Sequence, residues 1–273
     1  MARSLPWTGS DIDTLLSAAS SPARVATVAK VALSQGDSRT CPAYLRALME
    51  ALAREPPPFG TREYSDVYRA AAADRQWMAI SLMANAEREG DGATRLWSLA
   101  ACSADPEEVQ LLKEHAVDES RHALAYLALL DLAFPDSVEP KFRAELEQLS
   151  PRFRMSQPLR AAKGSPYART PSIDDFVQMN IAEIRTTIHH LMQRVALSAH
   201  CPPENLVRMT KVLDMLLRDE LRHVAYTAVL IDRKAASAGQ EGLPQMFCRR
   251  MRDFNRITHC ELAKSVLTDP QYS

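Results

Sequence analysis

Apolar residues recur along this chain at the three- and four-residue spacing that places them on one side of a helix. Met78, Leu82, Ala86 and Ala93 form one such stripe, and similar stripes appear in most other segments. Only 8 of the 273 residues are glycine, and runs of β-branched residues are few. A repeat of this period in a glycine-poor chain is typical of amphipathic helices. The pattern therefore predicts an all-α fold.

Breaker residues divide this pattern into elements. Three consecutive prolines end the second segment, and an Asp-Pro-Glu-Glu sequence gives a strong start signal at residue 105. A stretch rich in Pro, Ser and basic residues, 136–172, predicts a long crossover with one short helix. The predicted helices are 11–35, 42–54, 63–101, 105–135, 172–200, 203–236 and 244–267.

The order of these elements predicts their topology. Two pairs of long helices joined by a long crossover correspond to the wiring of a ferritin-like four-helix bundle. The fold class expected here is thus a ferritin-like four-helix bundle with additional N- and C-terminal helices. We expect residues 1–60 to form an N-terminal helical extension packed on the bundle. Residues 61–273 would form the bundle with its C-terminal helix, in one structural domain overall.

Charge, cysteine usage and the apolar segments argue against nucleic-acid-binding, secreted and membrane proteins. The formal net charge of −1 argues against a broad nucleic-acid surface, which needs a basic excess. The five cysteines are scattered and include no Cys-x-x-Cys pair, which favours a reducing compartment. The first residues lack the apolar core of a secretory signal, and the most apolar stretch, Ala123–Leu130, is too short to span a bilayer. We therefore expect a soluble, cytoplasmic protein without membrane partners.

A five-residue string, Asp-Glu-x-Arg-His, occurs at Asp118–His122 and again at Asp219–His223. Residues three apart share a helix face, so each string directs a carboxylate and an imidazole to one point. The likeness continues beyond the string, because residues 118–131 and 219–232 also match at a Leu and a final Asp. Apolar residues follow each string, which favours a buried pair over two solvated faces that agree by chance.

Two such pairs can hold two divalent metals when two other helices each add a glutamate. In the first half, Glu89 lies on the apolar stripe, whereas Glu87 shares its face with polar residues. Gly90 and Gly92 can disturb the helical phase, so Glu87 stays an alternative. In the second half, Glu183 is the carboxylate on the inward face. The predicted metal ligands are Glu89, Glu119, His122, Glu183, Glu220 and His223. Oxygen and nitrogen donors favour iron or manganese.

At these residues the chain resembles the ferritin-like di-iron carboxylate oxidases and oxygenases. The repeated string is most similar to that of the catalytic subunits of bacterial multicomponent monooxygenases. Ribonucleotide reductase small subunits, acyl-carrier desaturases and arylamine N-oxygenases share the general pattern. The resemblance covers roughly residues 75–235. It implies two iron ions, with a Mn/Fe pair as an alternative, and O2 as co-substrate.

The resemblance also implies roles for residues next to the ligands. Asp118 would orient His223, Asp219 would orient His122, and the motif arginines Arg121 and Arg222 would offset these acids.

Four further residues have two interpretations each. Thr187 matches an active-site threonine of the monooxygenases, or it bonds the carbonyl one turn back. Tyr126 lies where the reductase subunits carry a radical tyrosine, or it is an ordinary packed tyrosine. His115 resembles the additional His ligand of the arylamine N-oxygenases, although the equivalent position of the second motif is Leu216. His190 is either an additional ligand or a residue that supports a ligand or packs in the core.

The function expected from this resemblance is an oxygen-dependent di-iron oxidase or oxygenase. Its substrate would be a small molecule or a group on a carrier protein, and its electrons would come from an external donor. The alternatives are a ferritin-like ferroxidase, a tRNA-modifying hydroxylase, and a helical scaffold without metal. A homodimer is also left open. Arg154, Arg160 and Lys163 in the crossover, and the basic run 249–252, are either partner contacts or solvated charges.

Overall fold

All regular structure in the described part of the chain is helical. The computed structural model describes residues 21–35, 40–238 and 242–267, and within them no strand occurs. This confirms the all-α class. The α-helices of the described residues are α1 Ser21–Gln35, α2 Pro42–Arg54, α3 Arg62–Ala72, α4 Arg75–Cys102, α5 Pro106–Ala133, α6 Pro140–Leu146, α7 Ile173–His200, α8 Leu206–Ala238 and α9 Leu243–Leu267. Short 3-10 turns occupy Pro58–Gly60, Glu147–Leu149 and Pro203–Asn205.

Most predicted helices are found near their expected bounds, but the single helix predicted over 63–101 is wrong. The chain instead forms α3 and α4, separated at Ala73 and Asp74. Asp74 adopts an extended conformation, and its carboxylate accepts a hydrogen bond from the backbone N–H of Trp77 at 2.8 Å. This is the geometry of an N-cap, which starts a new helix. The part of the first predicted helix over 11–20 lies outside the described residues.

The described residues form two compact units. The first comprises the described residues of Met1–Ala73, Ile173–Val195 and Leu217–Ser273, and the second comprises Asp74–Ser172 and Ala196–Leu216. The predicted division into 1–60 and 61–273 stays a prediction.

The core of the first unit contains large aromatic residues. Tyr44, Phe59, Phe176 and Phe247 are fully buried, and the rings of Tyr44 and Phe247 meet edge to face at 5.8 Å. Arg24 is also buried, and its guanidinium donates to the carbonyl of Thr61 and to Ser65 Oγ, both at 3.0 Å. These bonds compensate the cost of burying the charge and attach α1 to the start of α3.

The second unit is built on α4 and α5, which pack along each other. Asp105 begins α5 as predicted, because its carboxylate accepts from the N–H groups of Glu107 and Glu108. The buried apolar residues on these two helices include Met78, Leu82, Trp97, Leu112, Leu127 and Leu130.

The crossover of the second unit is attached to both of these helices. Ser150 Oγ donates to the carbonyl of Ser120 at 2.6 Å, and the hydroxyl of Ser120 donates to the carbonyl of Pro151. The ring of Phe153 stacks on Trp97 with a centroid distance of 4.5 Å and an interplanar angle of 4°. The crossover is thereby held against α4 and α5.

The charged residues noted in the sequence have different surroundings. Arg249 and Arg250 both pair with Asp174, and Arg252 pairs with Glu55, so the basic run is engaged within its own unit. The side chains of Arg154, Arg160 and Lys163 are exposed, and their role as partner contacts stays a prediction. None of the helices that the structure describes combines the length and apolarity that a membrane crossing requires.

Candidate metal centre

The first cluster of chemically active side chains lies on one face of α5. His115, Glu119 and His122 follow one another at helical spacing and are all buried. Glu119 Oε1 lies 3.3 Å from His115 Nε2 and 3.4 Å from His122 Nδ1. One carboxylate oxygen is therefore placed between two imidazoles of its own helix.

Helix α4 adds Glu89, the glutamate that helical phase favoured over Glu87. Donor atoms of Glu89, Glu119 and His122 all lie within 4.8 Å of one another, and such a group can hold a metal ion. Glu87 is exposed and is not part of this group. Helix α4 continues unbroken through Gly90 and Gly92, so these glycines do not shift its phase. We call Glu89, His115, Glu119 and His122 the first motif cluster.

The two glycines of α4 instead provide close approach. A methyl group at Gly90 would overlap the carbonyl of Leu149 in the crossover. A Cβ at Gly92 would lie 3.3 Å from Glu119 Oε2, closer than most side chains tolerate. Gly92 therefore leaves room for the Glu119 carboxylate. Sequence reasoning missed this role, and its signal was a glycine three residues after Glu89.

The surroundings of Glu119 favour its charged form. Burial raises the pKa of its carboxyl group, but the interactions with Glu89, His115 and His122 lower the pKa by more than burial raises it. The resulting pKa is well below the usual range. The carboxylates of Glu89 and Glu119 come within 4.8 Å of each other, and two negative charges at this distance repel each other. A cation bound by both carboxylates would remove this repulsion.

A second cluster lies in the first unit, on α7 and α8. Glu220 is fully buried, and its two oxygens face two histidines. His190 Nε2 lies 3.4 Å from Oε1, and His223 Nδ1 lies 3.5 Å from Oε2. Glu183 lies on α7 and is also buried, and one of its carboxylate oxygens lies within 4.8 Å of a ring nitrogen of His223. We call Glu183, His190, Glu220 and His223 the second motif cluster.

The two clusters share a feature that the five-residue string does not contain. In each, the motif glutamate contacts two buried imidazoles, of which one comes from the string. The additional imidazole is His115 on the motif helix itself in the first cluster, and His190 on the preceding long helix in the second. Alignment of the two strings could not reveal this pairing, because Leu216 stands at the position that corresponds to His115.

The other residues named from the sequence are located as follows. Thr187 is buried, and its hydroxyl donates to the carbonyl of Glu183 at 2.7 Å. Tyr126 is buried on α5, one turn after His122. These positions are compatible with both interpretations of each residue, so the catalytic roles of Thr187 and Tyr126 stay predictions.

The motif aspartates are buried next to their motif arginines. Arg121 donates to Asp118 at 2.6 Å, and Arg222 lies 3.3 Å from Asp219. About half of each arginine side chain is exposed, whereas both aspartates are largely buried. The arginines thus offset the aspartate charges from the solvent side. The prediction that Asp118 and Asp219 each orient the histidine of the other motif stays a prediction.

Comparison with protein-family models, with curated proteins and with solved structures returned no match. The chemistry of the chain must therefore be inferred from its own residues. The described residues contain buried carboxylate and imidazole clusters that can hold a metal ion. Their donors are oxygen and nitrogen only, a set that suits iron, manganese or zinc better than thiolate-seeking metals. Together with the space that Gly92 leaves for Glu119, this donor set fits a metal cofactor.

Proposed function

We propose that this protein is an oxygen-dependent, non-haem di-iron oxidase or oxygenase with a ferritin-like bundle. Its reaction would be hydroxylation, desaturation or N-oxygenation of a small organic or carrier-bound substrate. The observation that carries the proposal is the surroundings of Glu119 and Glu220. Each is a buried motif glutamate with two imidazoles at 3.3–3.5 Å. Two such clusters in one chain are difficult to explain as core packing, since buried acids are costly without a cation or a proton.

The charges of the proposed ligands support a pair of divalent cations. The ligands would be the six residues predicted from the sequence, namely Glu89, Glu119, His122, Glu183, Glu220 and His223. Four carboxylates and two neutral imidazoles neutralise two divalent ions. His115 and His190 would then orient the motif glutamates or complete the coordination. Carboxylate and imidazole donors are typical of iron and manganese sites, whereas cysteine, which softer metals prefer, is absent from both clusters.

The protein would contribute binding, orientation and exclusion of water, while bound iron would supply the electron transfer to O2 that side chains cannot perform. Arg121 and Arg222 pair with Asp118 and Asp219 and offset their negative charges, and these acids would accept hydrogen bonds from ligand imidazoles. Thr187 holds its hydroxyl proton on the Glu183 carbonyl, so its oxygen can accept a further hydrogen bond. Both motif glutamates and their neighbouring imidazoles are buried, and the exclusion of water strengthens these interactions.

The experiment that tests the proposal is anaerobic loading of the protein with Fe(II), followed by addition of O2. We expect one burst of O2 consumption that is limited by the bound iron, and no further consumption until an external reductant is added. Continued oxidation of a large excess of Fe(II), with growth of a mineral core, would contradict the oxygenase and support a ferroxidase. A protein that retains no iron would contradict both. Glu119→Ala serves as the control without the site and should show no burst.

A further inference from the structure

A chain of hydrogen-bonded polar side chains runs through the core of the first unit. It links Tyr44 on α2, Asn180 on α7 and Thr227 on α8, and all three side chains are fully buried. Tyr44 Oη donates to Asn180 Oδ1 at 2.9 Å. Asn180 Nδ2 donates to Thr227 Oγ1 at 2.9 Å and to the carbonyl of Val224 at 3.0 Å. The Thr227 hydroxyl lies 2.6 Å from the carbonyl of His223, to which it donates.

This chain fixes the orientation of each of its members. Both hydrogens of the Asn180 amide are used, and its oxygen accepts from Tyr44, so a flipped amide would face oxygen with oxygen at Val224. Burial raises the pKa of Tyr44 far above its usual value, so its hydroxyl keeps the proton that it donates. A buried polar network that is satisfied throughout holds one arrangement, because every alternative leaves a polar group without compensation.

The other attachment of α2 leads to the same helix. Cys41 provides no side-chain cap for α2. Instead, Asp232 of α8 accepts from the backbone N–H groups of Ala43 at 2.8 Å and Tyr44 at 3.0 Å. The first turn of α2 is therefore capped by α8, nine residues after His223. Helix α2 is thus linked to α8 in two places. Its N-terminus is bonded directly to Asp232, and Tyr44 is linked through Asn180 to Thr227, one turn after His223.

We infer that docking of α2 and metal binding at His223 are coupled through this chain, and that Tyr44, Asn180 and Thr227 are positioning residues for His223. The inference rests on the proposed function, because it takes His223 as a metal ligand. A carbonyl held by Thr227 fixes the helical turn from which the His223 imidazole projects. A ligand fixed in one orientation binds metal more tightly than a mobile one. By linkage, bound metal must stabilise the docked α2 to the same extent.

The coupling can be measured by hydrogen exchange on the full chain, without metal and with Mn(II) added as a redox-inert probe. We expect Mn(II) to slow exchange of the backbone amides of residues 43–54 of α2 in the wild type. In Thr227→Val this protection should be reduced, and the Kd for Mn(II) should rise roughly tenfold. Thr227→Val is nearly isosteric, so the fold should persist, which circular dichroism can verify.

Thr258→Val is the matched control. Thr258 is also a fully buried threonine of the first unit, and its hydroxyl donates to the carbonyl of Phe254 one turn back. This variant loses the same kind of bond on α9, so its Kd for Mn(II) should equal that of the wild type. Two outcomes would overturn this inference alone. One is equal Mn(II) affinity in Thr227→Val and Thr258→Val, and the other is hydrogen exchange of wild-type α2 that Mn(II) does not change. A wild type that binds neither Mn(II) nor Fe(II) would overturn the proposed function and this inference with it.

Discussion

Glu119 Oε2 faces the backbone of Gly92 so closely that a Cβ on this glycine would lie 3.3 Å from it. This contact lies between α4 and α5, the two helices of the first motif cluster. A substitution at Gly92 can therefore change the stability of α4 and the metal affinity in opposite directions. Alanine is the better helix former by about 1 kcal/mol. A methyl group at residue 92, however, must displace the carboxylate that we propose as a ligand.

We therefore predict that Gly92→Ala keeps or slightly raises the free energy of unfolding of the metal-free protein, while the Kd for Fe(II) or Mn(II) increases roughly tenfold. Urea denaturation and metal titration measure the two quantities separately. Ala84→Gly is the converse control, since it should destabilise α4 by about 1 kcal/mol and leave the Kd unchanged. A Gly92→Ala protein with normal metal affinity would show that Glu119 is not constrained by this contact.

Gly90, two residues earlier, should behave differently. A methyl group there would overlap the carbonyl of Leu149, so Gly90→Ala must push the crossover away from α4. We predict a loss of about 1–3 kcal/mol in the free energy of unfolding, as for other overpacked contacts. Faster proteolysis of the crossover near residues 150–165 should accompany it. Stability equal to that of Gly92→Ala would contradict the close approach of Leu149.

Removal of a proposed ligand should abolish stoichiometric metal binding while the helices remain. Glu119→Ala and His223→Ala each remove a donor from one motif cluster, and we predict that neither variant binds two metal ions per chain. Far-UV circular dichroism should stay close to that of the wild type. His259→Ala is the control, because His259 is exposed and belongs to neither cluster. If Glu119→Ala or His223→Ala still binds two ions, the ligand assignment is wrong.

The ion pairs of Asp174 predict a pH effect away from the metal centre. Burial raises the pKa of this carboxyl, but hydrogen bonds from Arg250 and Arg249 lower it below its usual value of 3.8. A depressed folded-state pKa gives stability that is present above pH 3.8 and lost as the pH falls through the folded value. The wild type should thus exceed Asp174→Asn in unfolding free energy at pH 6, by less than about 1 kcal/mol because the pair is partly exposed.

The unfolding free energies of wild type and Asp174→Asn at low pH show whether this explanation is wrong. The difference between wild type and Asp174→Asn should shrink when urea unfolding is repeated at decreasing pH below 4. A difference that stays constant across this range would mean that the ion pairs with Arg249 and Arg250 do not form in solution.

The sequence was sufficient to predict those features of the fold that depend on local signals. Helical periodicity and few glycines predicted an all-α protein, and the Asp105 cap was correctly read as a helix start. Asp74 caps α4 by the same mechanism, but no proline or glycine marks it, so the apolar pattern on both sides concealed the break. Helical phase also selected Glu89 over Glu87, and the structure brings only Glu89 into the first motif cluster.

Long-range contacts could not be predicted in this way. His190 contacts Glu220 from another helix, 30 residues away in sequence. From the sequence, Gly92 was expected only to disturb the helical phase of α4. Its actual role is to leave space for the Glu119 carboxylate, which lies on another helix, α5. The bonds from Tyr44 to Asn180 and on to Thr227 connect three helices, and none of these residue types is unusual on its own helix. Such contacts depend on which faces meet, and a single sequence does not determine that.

In the proposed function, one chain binds two iron ions as a coupled pair. Mössbauer spectroscopy of protein loaded anaerobically with 57Fe(II) and then exposed to O2 tests it most directly, with total iron counted by mass spectrometry. We predict two iron ions per chain and, after oxidation, spectra of a spin-coupled ferric pair. One ion per chain, uncoupled ferric ions, or no retained iron would contradict it.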